Sequence, residues 1–340
     1  MSLQGEDGFP DAVAVPAWHL VARSPELRQG RTLARSLLGN EVALFRTETG
    51  TAHALAAHCS HAGTHLAHGK VVGERLRCPM HHWEYDGAGI CRQIPARHGI
   101  PERACQRPYL LAERLGGLFL YHSPANQEPD SLLPGFSVPD EELCVGHGRT
   151  VRLRCPWYAV AANAYDMRHL LTVHDRALVE LPEVETLPGR RLRLRYVSRV
   201  TGHGLTDTTM RLLAGNRIRV VITCWSGTAL VVEANLGRAR SALLLGLLPT
   251  EWGTEVKPVF AVRRGGPPGW NALRVALARW LYFGFLSRDV RLMDGMRFRP
   301  RLVLPEDAVL REFVEWARSL GAESSAPLLS FAPPSHHTES

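Results

Sequence analysis

The amino-acid sequence predicts an α+β protein, with an all-β region on the N-terminal side and then a larger region that combines an antiparallel sheet with flanking helices. Three observations predict it. Short runs of strand-forming residues broken by turn residues fill positions 41–123, among them EVALFR, TAHALAAH, RLRCP and ICRQIP. A stretch holding Pro124, Pro129, Pro134, Gly135 and Pro139 follows and is the best boundary signal in the chain. Beyond it, a helical stretch gives way to long β-rich runs and then to helical spacing again, with no internal repeat.

In order along the chain, YLLAERLGGLFLYHS reads as a hairpin folding at Gly116-Gly117. A helical stretch is predicted near 160–176. Strands follow at RLRLRYVSRV, RIRVVITCW, ALVVEANL, SALLLGLL and VKPVFAVR. A helix is expected from about Pro268 onward, and a capped amphipathic helix from about Asp307 to Leu320. The last segment, AESSAPLLSFAPPSHHTES, has no periodicity and reads as disordered. The expected organisation is a domain over 17–125, a second over 140–321, and a disordered tail over 322–340.

With 340 residues, 45% hydrophobic and 21% charged, the chain has ordinary globular composition, which excludes a mainly disordered or collagen-like protein. Its forty basic side chains are all arginine except Lys70 and Lys257, and the net charge of +7 favours an acidic partner. No zinc-finger, basic-zipper or RNA-binding signature points to nucleic acid. Seven cysteines scattered over a long chain suit reduced thiols better than a disulfide framework. The opening MSLQGEDGFP lacks an apolar run, and the strongest apolar stretch, Ala242 to Leu248, falls far short of the ~20 residues of a membrane span. The expectation is a soluble cytoplasmic protein without a membrane or nucleic-acid partner.

Chemistry is concentrated in two constellations. The first is Cys59-Ser60-His61 followed by Cys78-Pro79-Met80-His81. A Cys2His2 set admits tetrahedral zinc, or a [2Fe–2S] cluster with two thiolates on one iron and two imidazoles on the other. Paired zinc cysteines are usually separated by two to four residues, whereas Cys59-x-His61 leaves one residue between ligands of different type. Each loop can then give one ligand to each iron. His58, His65 and His68 read as loop-supporting or solvent-facing, and Cys91 and Cys105 as small buried hydrophobes.

CSHAGTHLAHG and CPMHHWEYDGAGICRQIP resemble the Rieske domain of ring-hydroxylating-type oxygenases, matching at the four ligands and at Gly63, Leu66, Gly69, Pro79, Trp83, Tyr85, Asp86, Gly87, Gly89, Ile94 and Pro95. Thr64 and Met80 stand where the respiratory Rieske proteins carry an extra disulfide between the two cluster loops, so that subclass is disfavoured. His82 stands where glycine is common in the family.

The second constellation is Asn163-x2-Asp166-x2-His169-x4-His174, placed on the helical stretch. His169 and His174, five apart, lie about 140° apart on an ideal helix, so they meet at one metal only if the helix is broken or bulged. On spacing alone, a packed core histidine pair and a metal site are both open. The same oxygenase family carries this motif some hundred residues after its cluster, and the resemblance implies a mononuclear iron held by His169, His174 and a later acid. Asp289, in SRDVRLMDGM, matches the position of that acid; Asp294 is the alternative, while Asp175 and Asp207 lie outside any match. By the same resemblance Asp166 is the bridging acid between a cluster histidine and an iron-ligand histidine across a subunit interface, and Asn163 lies near the iron without binding it. Short segments also resemble the aminopyrrolnitrin-oxygenase branch, which oxidises an arylamine nitrogen.

The resemblance implies a terminal oxygenase that uses a Rieske [2Fe–2S] cluster and a mononuclear Fe(II) to activate O2. Electrons would come from NAD(P)H through a separate flavin reductase, a ferredoxin or both. The expected substrate is a small aromatic organic molecule that undergoes hydroxylation, dealkylation or arylamine N-oxygenation. The expected assembly is a head-to-tail homotrimer in which each cluster faces a neighbour's iron. The competing readings are a Rieske electron-transfer protein without oxygenase activity and a zinc-supported binding module. Lys70, Arg75, Arg77, Arg92, Arg97 and Arg103 suggest a basic rim on which an acidic electron donor docks.

Overall fold

Period-two alternation of apolar and polar residues dictates most of the secondary structure. In Arg191–Val200, Leu192, Leu194, Tyr196 and Ser198 turn into the core while Arg191, Arg193 and Arg195 face outward. That strand belongs to a nine-stranded antiparallel sheet in the computed structural model, which describes residues 9, 15–95, 99–123, 129–214, 217–237, 240–300 and 303–320. The neighbouring strands run from Leu143–His147 through Gly253–Arg263, Arg240–Thr250, Ala229–Asn235 and Ile218–Trp225 to Arg191–Val200 and Arg176–Leu178. Val151–Leu153 and Glu183–Leu187 pair at the flanks.

Five helices accompany this sheet among the described residues: α1 (Trp157–Asn163), α2 (Met167–Thr172), α3 (Leu205–Ala214), α4 (Trp270–Met293) and α5 (Ala308–Ser319). Helix α4 lies against the Gly253–Arg263 strand, and α1 meets α5. Among the described residues, the N-terminal side holds three small antiparallel sheets. One pairs Ala17–Arg23 with Gly117–His122 and Leu111–Arg114, and shares a core with the large sheet through Leu20, Phe119, Val231, Leu244 and Val259. The approach is close enough that a Cβ on Gly246 would come within 2.8 Å of the Leu20 side chain. The architecture is thus the expected α+β arrangement.

Several local expectations shift. The hairpin turns at Leu115-Gly116, both with positive φ (51° and 67°), so Gly117 is already paired in the strand. The stretch 160–176 is two short helices rather than one, because Asp166 stops the first course and caps the second. Helix α3 was not foreseen. Asp307 stands at the N-cap of α5, but its carboxylate goes to the Leu304 N–H and to Arg168 instead of capping the helix. Cys91 is buried as expected, whereas Cys105 is exposed, because it pairs with Ile90 only through an isolated bridge at the edge. Arg97 and the tail at 322–340 lie outside the described residues.

Candidate metal centres

The first centre is built on two matching turns. Cys59 accepts the Gly63 N–H through its carbonyl (2.8 Å) while its own N–H reaches the Thr64 carbonyl (2.9 Å). Nineteen residues later, Cys78 accepts from the His82 N–H (3.1 Å) and donates to the Trp83 carbonyl (2.8 Å). The fourth step of each turn needs a left-handed backbone. Gly63 takes φ of 75° freely, whereas His82 takes 58° at a steric cost. Thr64 Oγ1 and Met80 Sδ, at the positions of the absent disulfide, touch at 3.4 Å across the two turns.

Both thiols are buried, and the His61 and His81 rings are exposed with centroids 4.4 Å apart. Trp83 stacks on His61 at 4.4 Å and fixes its plane. The Tyr85 hydroxyl reaches Cys59 Sγ at 3.2 Å and Ser60 Oγ at 3.1 Å. Burial pushes the Cys78 thiol up, and the N–H groups of Met80 and His81 that donate to its sulfur partly offset this. Two buried sulfurs backed by a hydroxyl and N–H donors, with two imidazoles at the surface, fit a [2Fe–2S] group ligated by sulfur inside and nitrogen outside. Around it, His58 bridges Glu41 (2.6 Å) and the Gly63 carbonyl (3.0 Å), and His65 accepts from the Ala67 N–H, so both support loops.

The expected basic rim is partly neutralised and keeps an excess of positive charge. Arg75 and Arg77 both pair with the buried Glu84, and Arg92 pairs with Asp86 at 2.6 Å. Lys70 and Arg103 remain exposed.

The second centre forms where the helical course breaks. Asp166 accepts the backbone N–H groups of Arg168 (3.0 Å) and His169 (2.9 Å) on Oδ1 and so caps α2. Helix α2 ends at Thr172, and Asp175 with φ of 53° turns the chain away. His174 therefore lies beyond the helix, and its ring swings back to His169. Helix α4 brings Asp289 to the same point. His169 Nε2, His174 Nε2 and Asp289 Oδ1 are 3.0, 2.8 and 2.8 Å apart pairwise. Adjacent ligands at right angles on bonds of about 2.1 Å sit about 3.0 Å apart, so this triangle fits one face of an octahedral metal.

Burial pushes the Asp289 carboxyl up, but the two histidines outweigh it and hold it below its usual range, while burial lowers His174. An ionised carboxylate beside a neutral imidazole is the metal-binding state. Phe285 stacks on the His174 ring at 3.5 Å and 6°, and His174 Nδ1 is buried with no partner among the described residues, so packing orients this ring. Arg176 braces the turn from behind by donating to the His174 carbonyl (2.9 Å) while paired with the buried Asp207 (2.9 Å).

The other acids of this region are committed elsewhere, Asp294 to Arg154 and Asp175 to Arg288. Asn163 and Asp166 line the same cavity as the triad, about 140 Å³ in volume. The Asp166 carboxylate meets backbone N–H groups rather than the His169 ring, and its Oδ2 has no partner among the described residues. The cavity wall is mostly aliphatic, with Val160, Leu230, Val232, Leu243 and Leu245 opposite Leu281 and Phe285. Its charged groups are confined to the metal end, at Asp166 and Asp289, since Arg176 is cancelled by Asp207 and burial pushes the Tyr282 hydroxyl up to about 12. Sequence reading missed Tyr85 as a sulfur donor, Phe285 and the Arg176–Asp207 pair. Phe285 had a signal, one helical turn before Asp289 on the same face of α4.

Comparison with known proteins agrees with this geometry. The family description "Rieske [2Fe-2S] domain" matches residues 17–104. Cholesterol 7-desaturase of Bombyx mori is 30% identical over 327 residues, covering 91% of this chain and 70% of the relative. The oxygenase component of a 3-ketosteroid-9-alpha-monooxygenase of Rhodococcus rhodochrous is 30% identical over 125 residues, 37% of this chain and only 32% of the relative. Aminopyrrolnitrin oxygenase of Pseudomonas fluorescens is 33% identical over 172 residues, 46% of this chain and 45% of the relative. Dicamba monooxygenase bound to dicamba superposes with a TM-score of 0.72 over 92% of this chain and 99% of that one; at 20% identity this likeness speaks for the fold.

Proposed function

Because the chain belongs to the Rieske oxygenase family, we propose that it is a terminal oxygenase with Cys59, Cys78, His61 and His81 holding a [2Fe–2S] cluster and His169, His174 and Asp289 a mononuclear iron. The observation that carries this reading is the 2.8–3.0 Å triangle of His169, His174 and Asp289 at the wall of an apolar cavity. A pure electron carrier has no use for such a second centre, and a zinc module has no use for two.

When bound, the metals supply a one-electron store at the cluster and O2 activation at the mononuclear site. The chain's own residues do the rest. Phe285 and Arg176 hold the His174 ring and carbonyl in place, and the aliphatic wall excludes water from the reacting region. The free Oδ2 of Asp166 is available to a histidine of a neighbouring subunit. This supports the bridging role and, with it, a head-to-tail trimer. Asn163 lines the cavity beside the triad and positions substrate rather than metal. Electrons come from NAD(P)H through a reductase, a ferredoxin or both.

A mainly aliphatic cavity with its charges confined to the metal end suits a hydrocarbon-rich substrate with one or two hydrogen-bonding groups, which Ser198, Ser241 and Tyr282 can meet. Together with the names of the steroid- and sterol-acting relatives, this favours a steroid-type skeleton over an arylamine or a charged aromatic acid; at about 140 Å³ the cavity takes about one ring of that skeleton beside the triad, with the rest extending beyond it. The test is product analysis with isotopically labelled O2, NADH and a surrogate reductase, using a steroid panel beside arylamines. Labelled steroid product is expected. Labelled arylamine product alone would replace the substrate class, and reductant consumption without any labelled product in either panel would count against the oxygenase reading.

A further inference from the structure

We propose that the outer face of α4 is a docking surface for an anionic lipid membrane, on which the protein lies without crossing it. The inner face of this helix is spoken for. Ala278, Leu281, Asp289 and Met293 are buried, and Tyr282, Phe285 and Leu286 line the cavity. The outer face is apolar as well. Trp270, Leu273, Leu277, Trp280 and Phe283 recur every three or four residues and are 47, 59, 38, 40 and 68% exposed. A helix apolar on both sides expects cover on both. The neighbouring α3 extends the patch with Leu205 and Leu212, 76 and 70% exposed.

Charge selects the occupant. The basic residues of α4 are Arg274, Arg279, Arg288 and Arg291, and its one acid, Asp289, is buried in the triad. The one acid of α3, Asp207, is buried against Arg176. Arg279 and Arg291 are exposed and have no acidic partner among the described residues. Tryptophan, phenylalanine and leucine among arginines, without an exposed acid, is the composition of a helix lying in a membrane interface. A second copy laid face to face would bring Arg279 and Arg291 of each copy together with no acid to neutralise them, and the head-to-tail contact proposed at Asp166 lies on the cavity side of α4 rather than on this face. No helix among the described residues is long and apolar enough to cross a membrane, and surface docking requires none. The proposal departs from the expectation that the chain has no membrane partner. If the oxygenase reading holds, docking through α3 and α4 also sets the helical wall of the cavity against the phase in which an apolar substrate dissolves.

The test needs neither turnover nor substrate, so its outcome is independent of the oxygenase reading. The full-length protein carrying its metals is floated with phosphatidylcholine vesicles, with and without phosphatidylglycerol, at low and high salt. Binding is expected to the anionic vesicles, weakened by salt. The double change Trp280→Ser with Phe283→Ser should lower partitioning by about a hundredfold. Arg279→Gln with Arg291→Gln should lower it by about tenfold, on anionic vesicles only. The visible spectrum and elution volume of both variants should match the wild type. Two results would overturn the proposal: a wild type that fails to float, or an aromatic variant that floats as well as the wild type. In the first case, an aromatic variant that also dissociates into smaller species would assign the face to a contact between copies.

Discussion

Replacing Asp166 by Asn separates the two uses to which one carboxylate is put. Oδ1 caps α2 through two backbone N–H groups at 2.9 and 3.0 Å. Asparagine caps a helix about as well as aspartate, so the variant loses only the charge–dipole contribution, about 0.3–1 kcal/mol. For a region of this size that corresponds to a fall in Tm of about 1–4 °C. Asp166→Ala, which removes the cap too, should cost about 1 kcal/mol more. If Oδ2 orients a histidine of a neighbouring subunit, Asp166→Asn keeps its fold, cluster and mononuclear iron, yet turns over about 10–100-fold more slowly. The assay combines metal content, thermal unfolding and the rate at which the reduced cluster is reoxidised in the presence of O2 and substrate. Asp289→Ala is the counterpart and should lose the mononuclear iron while keeping the cluster spectrum. Iron lost from Asp166→Asn and retained by Asp289→Ala would reverse the two assignments. Near wild-type turnover in Asp166→Asn would refute the bridging role.

The other predictions concern the cluster and the brace behind the triad. His81→Ala should abolish the cluster's visible spectrum, whereas Cys91→Ala, a packing change at a buried thiol, should leave it intact. Tyr85→Phe removes the hydroxyl 3.2 Å from Cys59 Sγ, and voltammetry should show the cluster potential falling by about 40–60 mV. Arg176→Met strands the buried Asp207 and should cost about 3–5 kcal/mol by denaturant unfolding, while adding Asp207→Leu should restore most of that loss. A double variant as unstable as the single one would show that the pair does not act as a unit.

The first constellation was legible because it is local. Each cysteine and histidine pair sits on one turn whose residues are contiguous, so spacing alone expressed the alternation of ligand types. The second was half legible. The helical wheel put His169 and His174 about 140° apart and so required a break, but not where it falls. Asp166 as a cap and Asp175 at positive φ make that break, and neither effect follows from apolar periodicity. The same break moved Asp166 from the helix interior to its cap, so its carboxylate faces backbone N–H groups rather than the His169 ring. Asp289 is 115 residues from His174, a separation that no local pattern bridges, and only family resemblance pointed to it. The basic rim was only partly legible for a related reason. Composition counts arginines, but only the fold shows that Arg75 and Arg77 converge on a buried Glu84. Long strands such as Arg191–Val200 and Gly253–Arg263 were readable because alternation repeats over ten or more residues, whereas α3, short and bounded by glycine, gave too weak a period.

The central claim is that one chain holds both a Rieske cluster and a separate mononuclear iron. The most direct test is iron and acid-labile sulfide analysis of the purified protein together with its visible spectrum, repeated on His169→Ala. The account predicts a red-brown protein with three irons and two sulfides per chain, and a variant that keeps the colour and both sulfides while losing one iron. A colourless zinc protein, or a wild type with two irons and an unchanged count in His169→Ala, would contradict it.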